Sequence, residues 1–239
     1  MKHFLLIHGS WHGAWCWYKV APRLEAQRHS VSVPDLPGRT LNPVEPICVG
    51  LNRMITSVGQ HLPVDRKTTV VVHSRYGILA SMLAQAFPEQ IEQTIYLASY
   101  MLPSGKRAAE YFAWDTGSYL APHVAISKFG MWDQLHSDIF REGLYHDCDE
   151  DDNKLGRLLL GKEPLRPALA KLKLTEDCYG SVPRAYIRLT EDRAVTPALQ
   201  DRVLNETKVD RVESIAASHS AYFSKPDELV ETILKLTKT

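Results

Sequence analysis

Apolar residues along this chain fall into short, nearly unbroken runs separated by longer stretches with helical spacing. HFLLIH (3–8), HSVSVPD (29–35), TTVVVH (68–73), EQTIYLAS (92–99), RAYIRLT (184–190) and DRVESIA (210–216) are β-branched or apolar and short enough to be strands. Several lack the polar–apolar alternation of a half-exposed sheet, which predicts parallel strands covered on both faces. Between them, WYKVAPRLEAQ, LNRMITSVGQHL, YGILASMLAQAF, PALQDRVLNE and PDELVETILKL carry apolar residues at helical spacing. In the third, Ile78, Leu79, Met82, Leu83 and Phe87 fall on one stripe. Alternating strands and helices predict an α/β fold, a mostly parallel sheet flanked by helices through right-handed crossovers.

The alternation lapses between about 101 and 181. MLPSG turns the chain away, and EYFAWDTGSYL, MWDQLHSDIF and NKLGRLLL follow with aromatic, helical patterns before strands resume at Arg184. Residues 1–100 and 182–239 are therefore expected to form the core, and 101–181 a helical lid. Such an insertion covers the carboxyl edge of the sheet, where α/β folds bind ligands.

Composition changes this picture little. The 239 residues balance 28 Lys+Arg against 28 Asp+Glu, so charge gives no reason to expect nucleic acid or an anionic membrane as partner. The apolar run in MKHFLLIHGSWHG is too short for a signal peptide and no segment reaches membrane-spanning length; a cytoplasmic protein is expected. Cys16, Cys48, Cys148 and Cys178 form no C-x-x-C pair and are expected reduced and mostly buried. No G-x-G-x-x-G or G-K-[ST] motif supports a nucleotide, and no cofactor is expected. HDCDEDDNKL (146–155) invites a metal. Against a calcium loop, however, it lacks the sixth-position glycine and has Leu158 where the bidentate Glu belongs. Acidic residues at the positive end of a helix explain it better, and no metal site is expected.

Reactive side chains in an open α/β sheet collect at strand carboxyl ends. HGSWHGAW follows the first strand, Ser74 the third, TEDRAV the fifth and ASHSAYF the sixth. A serine hydroxyl needs a base within hydrogen-bond reach, which His219 can supply. A buried carboxylate must hold the imidazole tautomer, and Asp192, one position farther into the turn than Glu191, suits that better. The developing oxyanion needs two backbone N–H donors, assigned here to Ser10 and Arg75, with Gly9 allowing the first loop to approach closely. Gly9, Trp11, His12, Tyr76, Trp114 and Trp132 are the expected pocket wall. His8 and His12 are expected to be hydrogen-bonded structural residues, and His73 to point away from the nucleophile and pack under the loop. Trp15 and Trp17 are assigned to packing. Tyr111, Phe112, Tyr119 and Phe140 are divided between lid core and pocket without being sorted.

These residues carry a resemblance. The order Ser…Asp…His is that of α/β-hydrolases. LIHGSWHGAWCWYKV resembles the first-strand loop of their plant methylesterase and hydroxynitrile lyase branch and its bacterial esterase relatives. VPRAYIRLTEDRAVTPALQ resembles the acid-bearing strand and turn, and ASHSAYFSKPDELVETI the closing histidine segment. The resemblance spans nearly the whole chain and implies the α/β-hydrolase fold. It implies Ser74, Asp192 and His219 as a triad, with the Ser10 and Arg75 amides as oxyanion hole. The lyases of that branch carry Thr after the first His and Lys after the catalytic His. Gly9 and Ser220 stand there instead, which favours ester hydrolysis.

One stretch departs from the pattern. VVVHSRYGILA places Val72 and Tyr76 where G-x-S-x-G has its glycines. Two outcomes are open: the turn opens slightly, with Tyr76 swinging toward the pocket and Gly77 supplying the close packing, or the elbow deforms and misplaces Ser74. The favoured function is a serine carboxylesterase for small, fairly apolar methyl or short alkyl esters, with the small-molecule ester its only expected partner and a homodimer left open. The rivals are a lyase or cofactor-free base-catalysed reaction on the same fold, and a non-catalytic ligand-binding homologue.

Overall fold

Six parallel strands form the centre of the computed structural model, which describes residues 1–237. In chain order the elements are β1 (His3–Ile7), α1 (Ala21–Ala26), β2 (Ser30–Ser32), α2 (Leu51–Gly59), β3 (Thr68–His73), α3 (Gly77–Ala86) and β4 (Ile91–Leu97). The insertion contributes α4 (Ala108–Trp114), β5 (Val124–Ile126), β6 (Trp132–Leu135), α5 (Glu150–Leu159), β7 (Glu163–Pro164) and α6 (Arg166–Leu169). β8 (Arg184–Leu189), α7 (Pro197–Glu206), β9 (Arg211–Ile215), α8 (Ala221–Ser224) and α9 (Pro226–Leu236) complete the chain. The large sheet runs β2-β1-β3-β4-β8-β9, and all six expected strands belong to it.

The unbroken apolar runs still obey the two-residue period of a strand. Leu5, Ile7, Val70 and Val72 enter the core shared with α2 and α3, while Phe4, Leu6, Val71 and Ile95 enter the one shared with Trp17 and α9. Both faces are covered, so each side chain contributes about 1.5–3 kcal/mol of burial wherever it points. α3 is buried beyond its predicted stripe: Gly77, Ala80, Ser81 and Ala84 are covered as well as Ile78, Leu79 and Leu83, while Met82 and Phe87 are only half-buried. Its small residues let it lie close against the sheet.

The insertion is less helical than expected. α4 and α5 overlap two of the anticipated segments, each starting before it, but MWDQLHSDIF contains strand β6, in a three-stranded antiparallel sheet ordered β5-β6-β7. Asp133 and Leu135 face inward while Gln134 faces out, a period-two pattern hidden in the sequence because one inward residue is an acid. The acidic run does start a helix: the Asp149 carboxylate caps α5 by accepting from Asp152 N at 2.8 Å. Cys16 and Cys148 are buried, Cys178 is half-buried and Cys48 exposed, and all four are free thiols. Among the described residues no helix is long and apolar enough to cross a membrane.

Candidate active site

β3 ends at His73, and the next residue, Ser74, has φ +57°, a left-handed conformation that a side chain adopts only under constraint. A 3-10 turn, Ser74–Tyr76, leads directly into α3. Two donors from the end of β4 hold this turn: the Ser99 hydroxyl donates to Ser74 O at 2.5 Å and Tyr100 N at 3.0 Å. Gly77 makes the approach feasible, since a β-carbon there would stand 2.6 Å from both the Ser99 hydroxyl and the Tyr100 carbonyl oxygen. The glycine needed for tight helix–strand packing thus lies one residue later than in the usual motif. Val72 is absorbed into the sheet core, paired with Ile7 and Tyr96.

His219 follows β9 and reaches Ser74. Its Nε2 lies 3.0 Å from Ser74 Oγ, and its Nδ1 lies 2.7 Å from Asp192 Oδ2. A carboxylate can only accept, so Nδ1 carries the proton and Nε2 is free to receive the serine's. The other oxygen, Asp192 Oδ1, accepts from Ala194 N at 2.7 Å and Val195 N at 2.9 Å, which fixes the acid in its turn. Ser74, His219 and Asp192 are all buried, whereas Glu191 is exposed. The insertion steadies the histidine loop, because Asp147 accepts from Ser218 N at 2.9 Å.

The loop after β1 lies against Ser74. A β-carbon on Gly9 would be 3.0 Å from Ser74 Cβ and 2.8 Å from His73 Nδ1, so only glycine permits this approach. Ser10 and Arg75 sit on the two backbone segments that meet at Ser74, and Trp11 has φ +62°. His73 tucks beneath this loop: its Nε2–H donates to His219 O at 2.9 Å and its ring centre lies 4.3 Å from that of His219. His8 donates through Nδ1 to Gly9 O and accepts at Nε2 from Leu36 N. His12 donates through Nδ1 to Ser10 O at 2.8 Å and accepts at Nε2 from the Tyr145 hydroxyl at 2.6 Å, with the Tyr222 hydroxyl 3.0 Å from the same nitrogen. Burial keeps all three rings neutral, pulling His8 and His73 well below the ordinary histidine range and His12 down to about 3.

Tyr76 does not turn toward a pocket. It is fully buried and its hydroxyl donates to Glu163 of β7. That carboxylate, also fully buried, accepts Trp11 N at 2.7 Å and pairs with Arg39, whose Nε donates to His12 O at 2.6 Å. Opposite Glu163 in the three-stranded sheet, Asp133 accepts the Trp11 indole N–H at 2.7 Å and the Arg75 guanidinium at 2.9 Å. Burial works against the charge on Arg75, but Asp133 and Glu163 outweigh it and hold the guanidinium firmly protonated. Sequence patterns gave no sign of Ser99, Asp133 or Glu163, because their partners lie 25 to 152 residues away.

The residues expected to wall a pocket are not brought together. Gly9 touches Ser74, but Trp11 and His12 line a mixed cleft of about 230 Å³ with Asp35 and Arg39. Trp114 is on an outer concavity with Thr196, under the Arg202 guanidinium, and Trp132 is capped by the Lys162 ammonium. An apolar cavity of about 230 Å³ instead borders Arg75 and Asp133 and is walled by Ala108, Phe112, Leu165 and Ala168. Of the unsorted lid aromatics, Phe112 faces that cavity. Tyr111 and Phe140 are buried, and Tyr119 is exposed beneath Arg193.

A profile of the alpha/beta hydrolase family matches residues 4–232. The chain belongs to this family. Within it, the chain is 31% identical over 257 residues to methylesterase 1 of Arabidopsis thaliana, covering 98% of this chain and 95% of that protein. It is 30% identical over 258 residues to norfluorocurarine synthase 2 of Strychnos nux-vomica, covering 99% and 96%. Polyneuridine aldehyde esterase superposes with a TM-score of 0.91 at 25% identity, covering 100% of both chains. This α/β-hydrolase therefore falls in the plant methylesterase branch, and that membership supports a hydrolase with carboxylesterase-type activity.

Proposed function

We propose that this α/β-hydrolase is a cofactor-independent serine carboxylesterase for small, fairly apolar methyl or short alkyl esters. The carrying observation is the unbroken chain from Ser74 Oγ to His219 Nε2 (3.0 Å) and from His219 Nδ1 to Asp192 Oδ2 (2.7 Å). Ser74 Oγ attacks the ester carbonyl carbon while its proton passes to His219 Nε2, and Asp192 steadies the imidazolium. The Ser10 and Arg75 amides receive the oxyanion. Collapse expels the alcohol oxygen, which takes the proton from His219 and leaves an acyl-enzyme at Ser74. Water then attacks the acyl carbon, gives its proton to His219, and the second tetrahedral species releases the acid and returns the proton to Ser74. The apolar cavity beside Arg75 supports a hydrophobic substrate group, and family names such as methylesterase support a small alcohol.

A fluorophosphonate probe should label the protein at Ser74, and a short-chain p-nitrophenyl ester should give a burst of p-nitrophenol. Ser74→Ala should abolish both. Turnover of a candidate substrate that persists in Ser74→Ala would instead assign His219–Asp192 as a base without a covalent step. Failure of the wild type to take up label under any condition would leave a ligand-binding homologue.

A further inference from the structure

Arg75 and Tyr76, the residues that make the elbow atypical, are both fastened to the lid. Asp133 and Glu163 are directly paired across β6 and β7, so their side chains leave the same face of the lid sheet. Between them they take hold of both backbone segments that meet at Ser74. On the first, Glu163 accepts the Trp11 backbone N–H at 2.7 Å and Asp133 accepts the Trp11 indole N–H at 2.7 Å. These bonds clamp a residue whose φ is +62°, immediately after Ser10. On the second, Asp133 pairs with the Arg75 guanidinium at 2.9 Å, and Glu163 accepts the Tyr76 hydroxyl. Arg39 completes the set, so two acids and two guanidiniums are buried together in charge balance.

We propose that Asp133 and Glu163 are positioning residues for the oxyanion hole, fixing the Ser10 and Arg75 amides from the lid so that the hole is complete only when the strand pair β6–β7 is docked. The inference rests on the serine carboxylesterase reading. It explains why the position after the nucleophile carries Arg and the next a tyrosine: neither side chain is needed by the chemistry, but each gives the lid a handle on the elbow. A left-handed Trp11 needs the same external hold, because nothing in its own covalent structure favours that conformation.

The experiment is steady-state kinetics of Glu163→Gln and Asp133→Asn on a p-nitrophenyl ester, beside the affinities of two ligands. One is an alkyl trifluoromethyl ketone, which forms a tetrahedral oxyanion adduct with Ser74; the other is the matching methyl ketone, which does not. Each variant should lose about 10- to 100-fold in kcat, the range expected for amides displaced by a fraction of an ångström to about 1 Å, with KM nearly unchanged in Glu163→Gln, whose site lies outside the apolar cavity that Asp133 borders. Trifluoromethyl ketone affinity should fall in parallel while the methyl ketone binds as before. Wild-type kcat in both folded variants, or equal weakening of the two ketones, overturns the inference. Should either acid variant fail to fold, Tyr76→Phe and Trp11→Phe each remove one donor. The same parallel loss is expected, and unchanged ketone selectivity in both rejects the inference. A wild type that neither turns over esters nor takes up the fluorophosphonate overturns the carboxylesterase reading and this inference with it. An active wild type with indifferent variants overturns this inference alone.

Discussion

Gly77 and Ser99 meet so closely that a single methyl on the glycine would stand 2.6 Å from the serine hydroxyl. That hydroxyl donates to Ser74 O, so the contact sets how tightly α3 can press on β4 and how Ser74 is presented. Gly77→Ala should cost about 1–3 kcal/mol through overpacking and lower ester turnover with it. Adding Ser99→Ala should not restore the wild type, because the Tyr100 carbonyl oxygen is equally near the new methyl. Urea unfolding and kcat of the single and double variants would check this; full recovery in the double variant would contradict it.

Gly9 faces Ser74 from the other side. In Gly9→Ala the methyl meets Ser74 Cβ at 3.0 Å and His73 Nδ1 at 2.8 Å, so the loop bearing Ser10 must retreat. A retreat of about 1 Å should reduce kcat by roughly 10²-fold, with a much smaller change in melting temperature. Stopped-flow acylation rates measure the effect. Rates within about twofold of wild type would mean that the loop can yield without disturbing the oxyanion donors.

Asp192 and its neighbour Glu191 differ in burial, not in chemistry. Asp192→Asn keeps an oxygen for the Ala194 and Val195 amides but presents the wrong partner to His219 Nδ1. It should lower kcat by about 10³- to 10⁴-fold. Glu191→Gln, at an exposed position, should leave kcat within about twofold. The reverse ranking in kinetic assays would reassign the acid.

Stability should fall on mild acidification. His8, His12 and His73 are buried neutral with depressed pKa values, whereas each titrates near 6.5 when exposed. Above pH 6.5 neither the folded nor the unfolded chain protonates them, and they exact no penalty. Below it the unfolded chain binds protons that the folded chain refuses, so stability declines as pH drops toward the folded values, about 3 for His12. Each contributes a slope of up to about 1.4 kcal/mol per pH unit, so the three together reach at most roughly 4 kcal/mol per pH unit. Urea midpoints between pH 7.5 and pH 5 should show this slope, and a flat profile would speak against neutral burial of these rings.

The acidic segment before α5 should behave as a helix cap. Asp149→Ala should cost about 1 kcal/mol without changing ester turnover, since it removes the acceptor for Asp152 N. Thermal melts with EDTA or with added calcium should coincide. A calcium-dependent rise in melting temperature that disappears in the variant would revive the metal interpretation.

What the sequence determined by itself was the scaffold and the order in which Ser74, Asp192 and His219 follow their strands. Continuous apolar runs such as TTVVVH and HFLLIH specify strands covered on both faces. Ser74 and Asp192 follow covered strands of this kind, and His219 follows the largely exposed edge strand β9; the parallel order of these strands brings all three to one edge of the sheet. Tertiary structure decided everything that depends on partners distant in the chain. Tyr76 was legible as a bulky residue beside the nucleophile, yet its direction is set by Glu163, 87 residues away. Trp11, His12, Trp114 and Trp132 are legible as candidate pocket residues, but the fold leaves Trp11 and His12 on one cleft and Trp114 and Trp132 elsewhere. β6 reads as helix in the sequence because one of its two inward positions holds Asp133, an acid made compatible with burial by Arg75 and Trp11 from the core. The physical reason is common to all three: periodicity records which face of an element is covered, whereas the pairing of buried polar groups is a three-dimensional match that no local pattern encodes.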